Sequence, residues 1–190
     1  MNIVEPFRDP DDIAFIKNHL LENKLYRDYC LFTVGINIGL RISDLSRLKW
    51  EDVMKPNGHI KDHVDIYEKK TGKFKRFKLN ESAKGALKLW YSNIPIDDKP
   101  EYIFYTRSNK TGYMTRKTAE RILKREANLV GVPNIGTHSL RKTFGYHLNK
   151  NGVPISVIMK MFNHSSEMIT MRYLGIAQDE MDNAMDGLNL

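Results

Sequence analysis

Residues 27–38 read RDYCLFTVGINI, and as a helix this segment is apolar around nearly its whole circumference. A helix of that kind is buried on all sides, so the segment predicts the central element of the fold. Gly39 follows it directly, and glycine readily takes the left-handed backbone that commonly ends a helix. Beyond it, residues 43–48 predict a short helix whose leucines, Leu45 and Leu48, face the core.

Start signals divide much of the remaining chain into further helices. Asp9 and Pro10 mark the first, because aspartate accepts the free amide hydrogens of a helix start and proline suits the first turn. Further helices are predicted to start at Asn80, at Thr115, near residue 139, at Pro154, and at Ser165 or Ser166.

Two segments, residues 64–68 and 74–79, predict the strands of a hairpin around a Thr-Gly turn. In the first segment Val64, Ile66 and Glu68 alternate with their neighbours and therefore share one face of the strand. The hairpin predicts a small antiparallel sheet beside the helices.

The predicted fold class is mostly α with a small antiparallel β-sheet (α+β). Residues 102–105, YIFY, add a short buried strand to this prediction. No repeat or linker-like stretch interrupts the chain, so residues 1–176 are predicted to form one domain. Residues 177–190 follow as an acidic amphipathic tail with methionine and leucine on one face.

The composition excludes several classes of protein. Hydrophobic residues make up 41% and charged residues 28% of the 190-residue chain, which is typical of a globular protein rather than a disordered one. No apolar run approaches the roughly 18 residues that span a bilayer, and the N-terminus lacks a signal pattern. The single cysteine, Cys30, excludes an internal disulfide and a cysteine-based zinc site. We expect a cytoplasmic protein with no membrane partner.

Positive charge is concentrated in two segments. The chain has a formal net charge of +7; residues 69–78 carry six basic residues and no acidic one, and residues 107–125 carry seven against one acid. Such a field suits a phosphate backbone, although two solvated faces explain the charge alone equally well. The candidate DNA-binding residues are Lys69, Lys73, Lys75, Arg76, Arg116, Lys117 and Lys142.

The sequence contains neither a phosphate-binding loop of the GxxxxGK[ST] type nor a GxGxxG or HExxH motif. No Asp, Glu and His cluster has the spacing of metal ligands, so phosphodiester chemistry would proceed without a metal. His138 and Arg141 lie three residues apart in THSLRKTFG and share one face of a helix. This pair can face one phosphate, but a surface histidine near an arginine explains it as well.

Other residues complete a chemical set with that pair. Arg41 starts at the edge of the core, where a desolvated guanidinium needs an anion. Arg41 and Arg141 can clamp one phosphate, and Lys70 in the hairpin can protonate a leaving oxygen. Tyr173 can act as the nucleophile, nine residues after His164.

Five segments carry these residues in order: GLRISDLSRLKW, KKTGK, THSLRKTFG, FNHSSE and MRYLG. Together they resemble the catalytic domain of the tyrosine recombinases, the phage-integrase family, over roughly residues 9–175. The resemblance implies the tyrosine recombinase catalytic-domain fold and a site-specific DNA recombinase that needs neither metal nor ATP. It also implies that Tyr173 attacks a DNA phosphodiester and forms a 3′-phosphotyrosyl bond.

The same resemblance assigns the other roles. The scissile phosphate would be held by Arg41, Arg141 and His164. His138 would assist proton transfer and Lys70 would be the general acid, with Lys69 as the alternative. Asp44 matches the family's acidic position after the first arginine and would orient the site without touching the phosphate.

Two features depart from the family pattern. The family's Leu-Gly-His is Phe162-Asn163-His164 here, and asparagine tolerates left-handed backbone better than most residues. Only a short segment precedes the first matching helix. The family's N-terminal DNA-binding domain is therefore expected to be absent, either because the sequence is a piece of a longer protein or because it is a natural single-domain relative.

The resemblance implies double-stranded DNA as the partner, a homo-oligomer on DNA (a tetrameric synapse) and no cofactor. Residues 177–190 are then a candidate docking segment for a neighbouring subunit, with packing on their own domain as the alternative. Two other functions stay open: a catalytically silent DNA-binding regulator of the same fold, and a type IB topoisomerase-like enzyme that relaxes DNA. The sequence specifies neither the DNA target nor cleavage in cis or in trans.

Overall fold

The computed structural model describes residues 4–95, 100–106, 111–176, 185–186 and 188. These ranges are mostly helical and contain one antiparallel hairpin, which confirms the predicted fold class. The helices are α1 (Pro10–Glu22), α2 (Tyr26–Ile38), α3 (Ile42–Leu45), α4 (Trp50–Val53), α5 (Glu81–Ser92), α6 (Arg116–Leu129), α7 (Ser139–Lys150), α8 (Ile155–Phe162) and α9 (Glu167–Leu174), and the strands are β1 (His63–Tyr67) and β2 (Phe74–Lys78). Within the described ranges, no helix is long and apolar enough to cross a membrane. Most of the predicted tail, residues 177–190, lies outside these ranges.

Helix α2 is the central element, as its sequence predicts. It packs against α1, α5 and α7, and most of its side chains are buried. Gly39 ends it in the left-handed conformation, with φ at 65°. The chain then turns at Arg41 into α3, which is shorter than the predicted segment 43–48. Arg41 is thereby placed at the edge of the core, between a fixed helix end and a short helix.

The predicted helix caps are confirmed. Asp9 accepts a hydrogen bond from the Asp11 amide at the start of α1. The side chains that cap α5, α6 and α9 are Asn80, Thr115 and Ser166. Of Ser165 and Ser166, it is Ser166 whose side chain accepts a hydrogen bond from the Ile169 amide at the start of α9. Each cap satisfies an amide that has no partner within its own helix.

The two strands pair in antiparallel register, with Val64 opposite Phe77 on the buried face. The prediction of a further strand over residues 102–105 is wrong. Tyr102 makes only an isolated antiparallel bridge with Lys49, and the amide of Ile103 donates to the carbonyl oxygen of Leu48. The segment is buried, but its backbone bonds go to a loop rather than to a neighbouring strand.

The buried apolar residues form two clusters. The larger surrounds α2, whereas the smaller consists of Tyr146, Ile158, Phe162, Leu174 and Ile176. Helix α7 contributes to both, because its start packs in the larger cluster and its middle in the smaller. The candidate functional side chains lie where these two clusters meet.

Candidate active site

Arg141 is the most buried of the predicted site residues. It lies on the first turn of α7 and is 3% exposed. Its two terminal nitrogens donate to the carbonyl oxygens of Gly39 at 2.7 Å and Phe162 at 3.1 Å. The guanidinium carbon also lies 4.2 Å from the centre of the Phe162 ring.

Burial lowers the pKa of Arg141 to about 10, and the charge of Arg41 acts in the same direction. The side chain is therefore still a cation at neutral pH. Its hydrogen bonds go to neutral carbonyls, and it forms no ion pair with a carboxylate among the described residues. A fixed, desolvated cation of this kind is a strong site for an anion.

Arg41 is paired with a carboxylate that none of the sequence motifs assigns to the site. Its Nη1 donates to Oε1 of Glu68 at 2.6 Å. Glu68 is 1% exposed, and its other oxygen accepts from Thr71 Oγ1 at 2.8 Å and from Asn163 Nδ2 at 3.1 Å. Burial acts to raise the pKa of Glu68, but the hydrogen bond from Thr71 and the charge of Arg41 outweigh it and lower the pKa overall.

A signal for Glu68 was present in the sequence. It continues the inward face of the alternating segment with Val64 and Ile66, and a carboxylate is rarely buried without a partner. Arg41 is the complementary signal, because a partly buried arginine needs an anionic partner just as a buried carboxylate needs a cationic one.

The turn between β1 and β2 carries the predicted general acid. Lys70 is exposed on this turn. Asp44 on α3 accepts a hydrogen bond from the Lys69 amide at 3.0 Å, and Thr71 binds Glu68. The backbone around Lys70 is thus tied to α3 on one side and to the Arg41 pair on the other.

Asn163 supplies the left-handed turn that places His164. Helix α8 ends at Asn163 with φ at 56° and ψ at 40°, so asparagine supports the turn where the family has glycine. Nδ1 of His164 lies 3.0 Å from Oγ1 of Thr170. Burial, followed by the charges of Arg141 and Arg41, lowers the pKa of His164.

Tyr173, near the end of α9, lies between two histidines. Its hydroxyl is 3.4 Å from Nδ1 of His138, and its ring centre is 5.1 Å from that of His164. Burial raises the pKa of Tyr173, and the charges of Arg141 and Arg41 oppose this rise. The hydroxyl is therefore protonated at neutral pH and needs a base to become a nucleophile.

His138 has the properties of such a base. Partial desolvation of its ring, together with the charges of Arg116 and Arg141, lowers the pKa of His138. At neutral pH the imidazole is uncharged, and one ring nitrogen is then free to accept a proton. The predicted tyrosine, both histidines and both arginines are thus brought to one place, with Lys70 on the adjoining turn.

The predicted DNA-binding residues have different environments. Exposed side chains are those of Lys69, Lys73, Arg76, Arg116 and Lys117. Lys75 is half-buried, and its Nζ donates to the carbonyl oxygens of Lys160 and Met161 at the end of α8. The charge of Lys142 predicts a residue on the surface that contacts DNA, but the structure places it in the interior. It is 5% exposed, and its ammonium lies 5.4 Å from the centre of the Tyr173 ring.

Among the described residues, no group of three or more His, Cys, Asp or Glu side chains is arranged to hold a metal ion. The site that the structure does present combines two arginine cations with a partly buried tyrosine. Its chemistry is that of anion binding next to a nucleophile.

Known proteins share both this sequence pattern and this fold. The profile of the Phage integrase family matches residues 9–180. The Bacillus subtilis protein named probable integrase/recombinase YoeC is 42% identical over 180 residues, which cover 94% of this chain and 93% of YoeC. The tyrosine recombinase XerA of Pyrococcus furiosus is 26% identical over 164 residues, which cover 86% of this chain and 55% of XerA.

A solved structure is similar over almost the same length. XerH site-specific recombinase, bound to palindromic difH substrate in a post-cleavage complex, aligns with a TM-score of 0.72 and 18% identity. The alignment covers 96% of this chain and 52% of that one. The chain thus spans nearly all of YoeC, but about half of XerA and of the XerH chain.

Proposed function

Because the chain belongs to the phage integrase family, we propose that it is a tyrosine recombinase that cleaves and rejoins DNA strands. One observation supports this most strongly. The Tyr173 hydroxyl lies 3.4 Å from His138 and within the electrostatic field of Arg141 and Arg41. A partly buried tyrosine beside two cations and a neutral base suits attack on a phosphodiester.

The reaction exchanges one phosphate ester for another. The Tyr173 oxygen forms a bond to phosphorus, the bond to the 5′ oxygen breaks, and the DNA is left with a 3′-phosphotyrosyl link. The 5′ oxygen leaves as a hydroxyl after it takes a proton from Lys70. A 5′-hydroxyl from a partner strand later attacks the phosphotyrosine and releases Tyr173. Each step replaces one phosphate ester with another of similar energy, so the exchange needs no ATP.

Each charged or polar side chain of the site has a separate role in this reaction. Arg41, Arg141 and His164 hold the non-bridging oxygens, on which negative charge develops in the transition state. His138 accepts the proton of Tyr173, because its lowered pKa keeps it neutral at neutral pH. Asp44 and Glu68 do not touch DNA in this scheme but hold the elements that carry Lys70 and Arg41.

The geometry favours cleavage in cis. His138, Arg141 and Tyr173 of one chain already lie together, with α9 packed against α7 and α8. In this arrangement the nucleophile attacks the phosphate that its own subunit's arginines bind. An arrangement in trans would instead require α9 to leave its own domain.

The proposed partner is double-stranded DNA. The exposed basic residues on the hairpin and on α6 supply a surface for its backbone, and the structurally similar Tn1549 transposon integrase was solved in complex with circular intermediate DNA. A homo-oligomer on DNA follows from the need for two duplexes in a strand exchange. We assign the docking of one subunit onto the next to residues 177–190.

A covalent trapping assay tests the proposal. The DNA is a pool of duplexes of randomised sequence that carry 5′-bridging phosphorothiolates, because a thiol leaving group does not return to reverse the step. We expect a denaturation-resistant protein–DNA adduct in the presence of a chelator. The adduct should disappear in Tyr173→Phe and persist in Tyr29→Phe, which loses a hydroxyl on α2 instead.

An adduct that persists in Tyr173→Phe would refute the assignment of the nucleophile. Absence of any adduct from the unmodified chain, with salt-sensitive DNA binding intact, would favour a DNA-binding regulator. Relaxation of supercoiled plasmids of unrelated sequence would favour a topoisomerase.

A further inference from the structure

Glu68 links three parts of the site that lie far apart in the sequence. Its carboxylate is buried and accepts from Arg41 at 2.6 Å, Thr71 at 2.8 Å and Asn163 at 3.1 Å. These donors lie before α3, in the turn that carries Lys70, and in the turn that carries His164. One side chain therefore links the segments that carry Arg41, Lys70 and His164.

The three donors have a chemical reason to converge. A buried carboxylate is strongly destabilising unless charge and hydrogen bonds compensate it. Arg41 supplies the charge through Nη1, and a guanidinium has four further N–H donors that this bond does not use. Glu68 thus anchors one end of the guanidinium and leaves most of its donors for another anion.

The contact also accounts for the asparagine at position 163. A glycine would satisfy the left-handed backbone there, with φ at 56°, but it has no side chain to reach Glu68. Asn163 supplies both the turn and an amide that donates to the carboxylate. A second contact joins the same regions, because Nζ of Lys75 on β2 donates to the carbonyl oxygens of Lys160 and Met161 near the end of α8.

We propose that Glu68 is a positioning residue for strand cleavage, and this inference rests on the proposed recombinase function. Through its three bonds Glu68 orients Arg41 and holds the Lys70 turn against the His164 turn. Arg41, Lys70 and His164 then meet the phosphate in one arrangement. Asn163 is the partner of Glu68 in this role.

The central test separates orientation from binding. In Glu68→Gln the side chain keeps its size and loses its charge, so Arg41 is freed to reorient. We expect the rate of adduct formation at saturating DNA to fall by about 10–100-fold, because small misplacements of positioned groups have effects of this size. The affinity for DNA should stay within about threefold or become tighter, because no phosphate-binding cation is removed.

Two further variants sharpen the result. Glu81→Gln removes the same charge from an exposed position on α5 and should leave both rate and affinity unchanged. Asn163→Gly removes only one of the three donors, keeps the left-handed turn and should slow cleavage by a smaller factor. Combined with Glu68→Gln, it should have almost no additional effect, since the two residues act through one contact.

Specific outcomes would overturn the proposal. Cleavage by Glu68→Gln at the original rate would show that Glu68 has no positioning role. Faster cleavage would show that Glu68 competes with the phosphate for Arg41. If Glu68→Gln does not fold, Asn163→Gly decides the question, and cleavage at the original rate in that variant refutes the coupling.

A second measurement does not depend on cleavage. NMR of the Arg41 guanidinium should show slow exchange with solvent in the unmodified chain and fast exchange in Glu68→Gln. Identical exchange in both would refute the positioning role. A failure of the unmodified chain to form any adduct would instead count against the recombinase function, and the NMR result would still test the contact.

Discussion

Replacement of Gly39 by alanine is expected to destabilise the fold and the site together. Gly39 has φ at +65°, where an added side chain costs about 1–2 kcal/mol. Its new Cβ would also overlap the Phe144 ring, with Cε1 at 2.7 Å, and such overpacking costs about 1–3 kcal/mol. The lower entropy of the unfolded chain returns up to about 1 kcal/mol. The net loss in unfolding free energy is about 1–5 kcal/mol.

Gly85 provides the matched control. It lies inside α5, its backbone is helical, and a Cβ there would meet nothing within 4 Å. The same substitution at Gly85 should therefore raise the unfolding free energy by about 0.5–1 kcal/mol, since alanine is the better helix former.

Thermal unfolding followed by circular dichroism measures both changes. For a chain of 190 residues, each kcal/mol corresponds to roughly 2–4 °C in Tm. Gly39→Ala should thus unfold about 2–20 °C below the unmodified chain, and Gly85→Ala slightly above it. Because the Gly39 carbonyl accepts a bond from Arg141, adduct formation should also slow in Gly39→Ala below its Tm. A Tm for Gly39→Ala equal to or above that of Gly85→Ala would refute the reasoning.

Two other predictions concern the reaction, and a third concerns the assembly of subunits on DNA. Because the pKa of His138 is below its ordinary value of 6.5, kcat/KM for cleavage should be constant from pH 8 to 7 and fall only below pH 6.5. A fall that begins above pH 7 would contradict His138 as the base. Lys70→Ala should slow cleavage of ordinary DNA but not of 5′-bridging phosphorothiolate DNA, whose thiol leaves without protonation; equal slowing on both would exclude Lys70 as the general acid. Deletion of residues 177–190 should lower self-association on DNA in sedimentation experiments, and equal assembly of both chains would contradict the docking role.

Local signals in the sequence predict most of the fold. The all-round apolar character of residues 27–38, the glycine after them and the polar caps are properties of single segments, so they can be recognised without knowledge of their neighbours. Residues 102–105 show where this fails. Their apolar character correctly predicts burial, but it cannot show whether a partner strand exists, and the described chain provides only the bridge at Lys49.

The candidate site was predictable to the extent that motifs carry it. The tyrosine, histidines and arginines follow from the motifs, whereas their supporting contacts do not. Glu68 and Asn163 are 95 residues apart, and their contact arises only when β1 and α8 fold together. Lys142 illustrates the same limit, since only the packing of α9 over α7 shows that this lysine lies beneath the Tyr173 ring rather than on the surface.

The division of the apolar residues into two clusters has a consequence for motion. A small cluster has less buried surface to lose and opens at a lower free energy than a large one, so such clusters behave as separate cooperative units. Tyr173 belongs to the smaller unit, whereas Arg41 follows the central helix of the larger one.

Helix α7 joins the two units, and it carries Arg141 at the junction. The nucleophile can therefore withdraw by local unfolding of α8 and α9 while the larger unit stays folded. Hydrogen exchange would report this as protection that is lower throughout α9 than in α2. Arg41 then keeps its position beside the larger unit while Tyr173 and His164 leave the phosphate together with α8 and α9, so the site can release one strand and accept another while the rest of the domain stays folded.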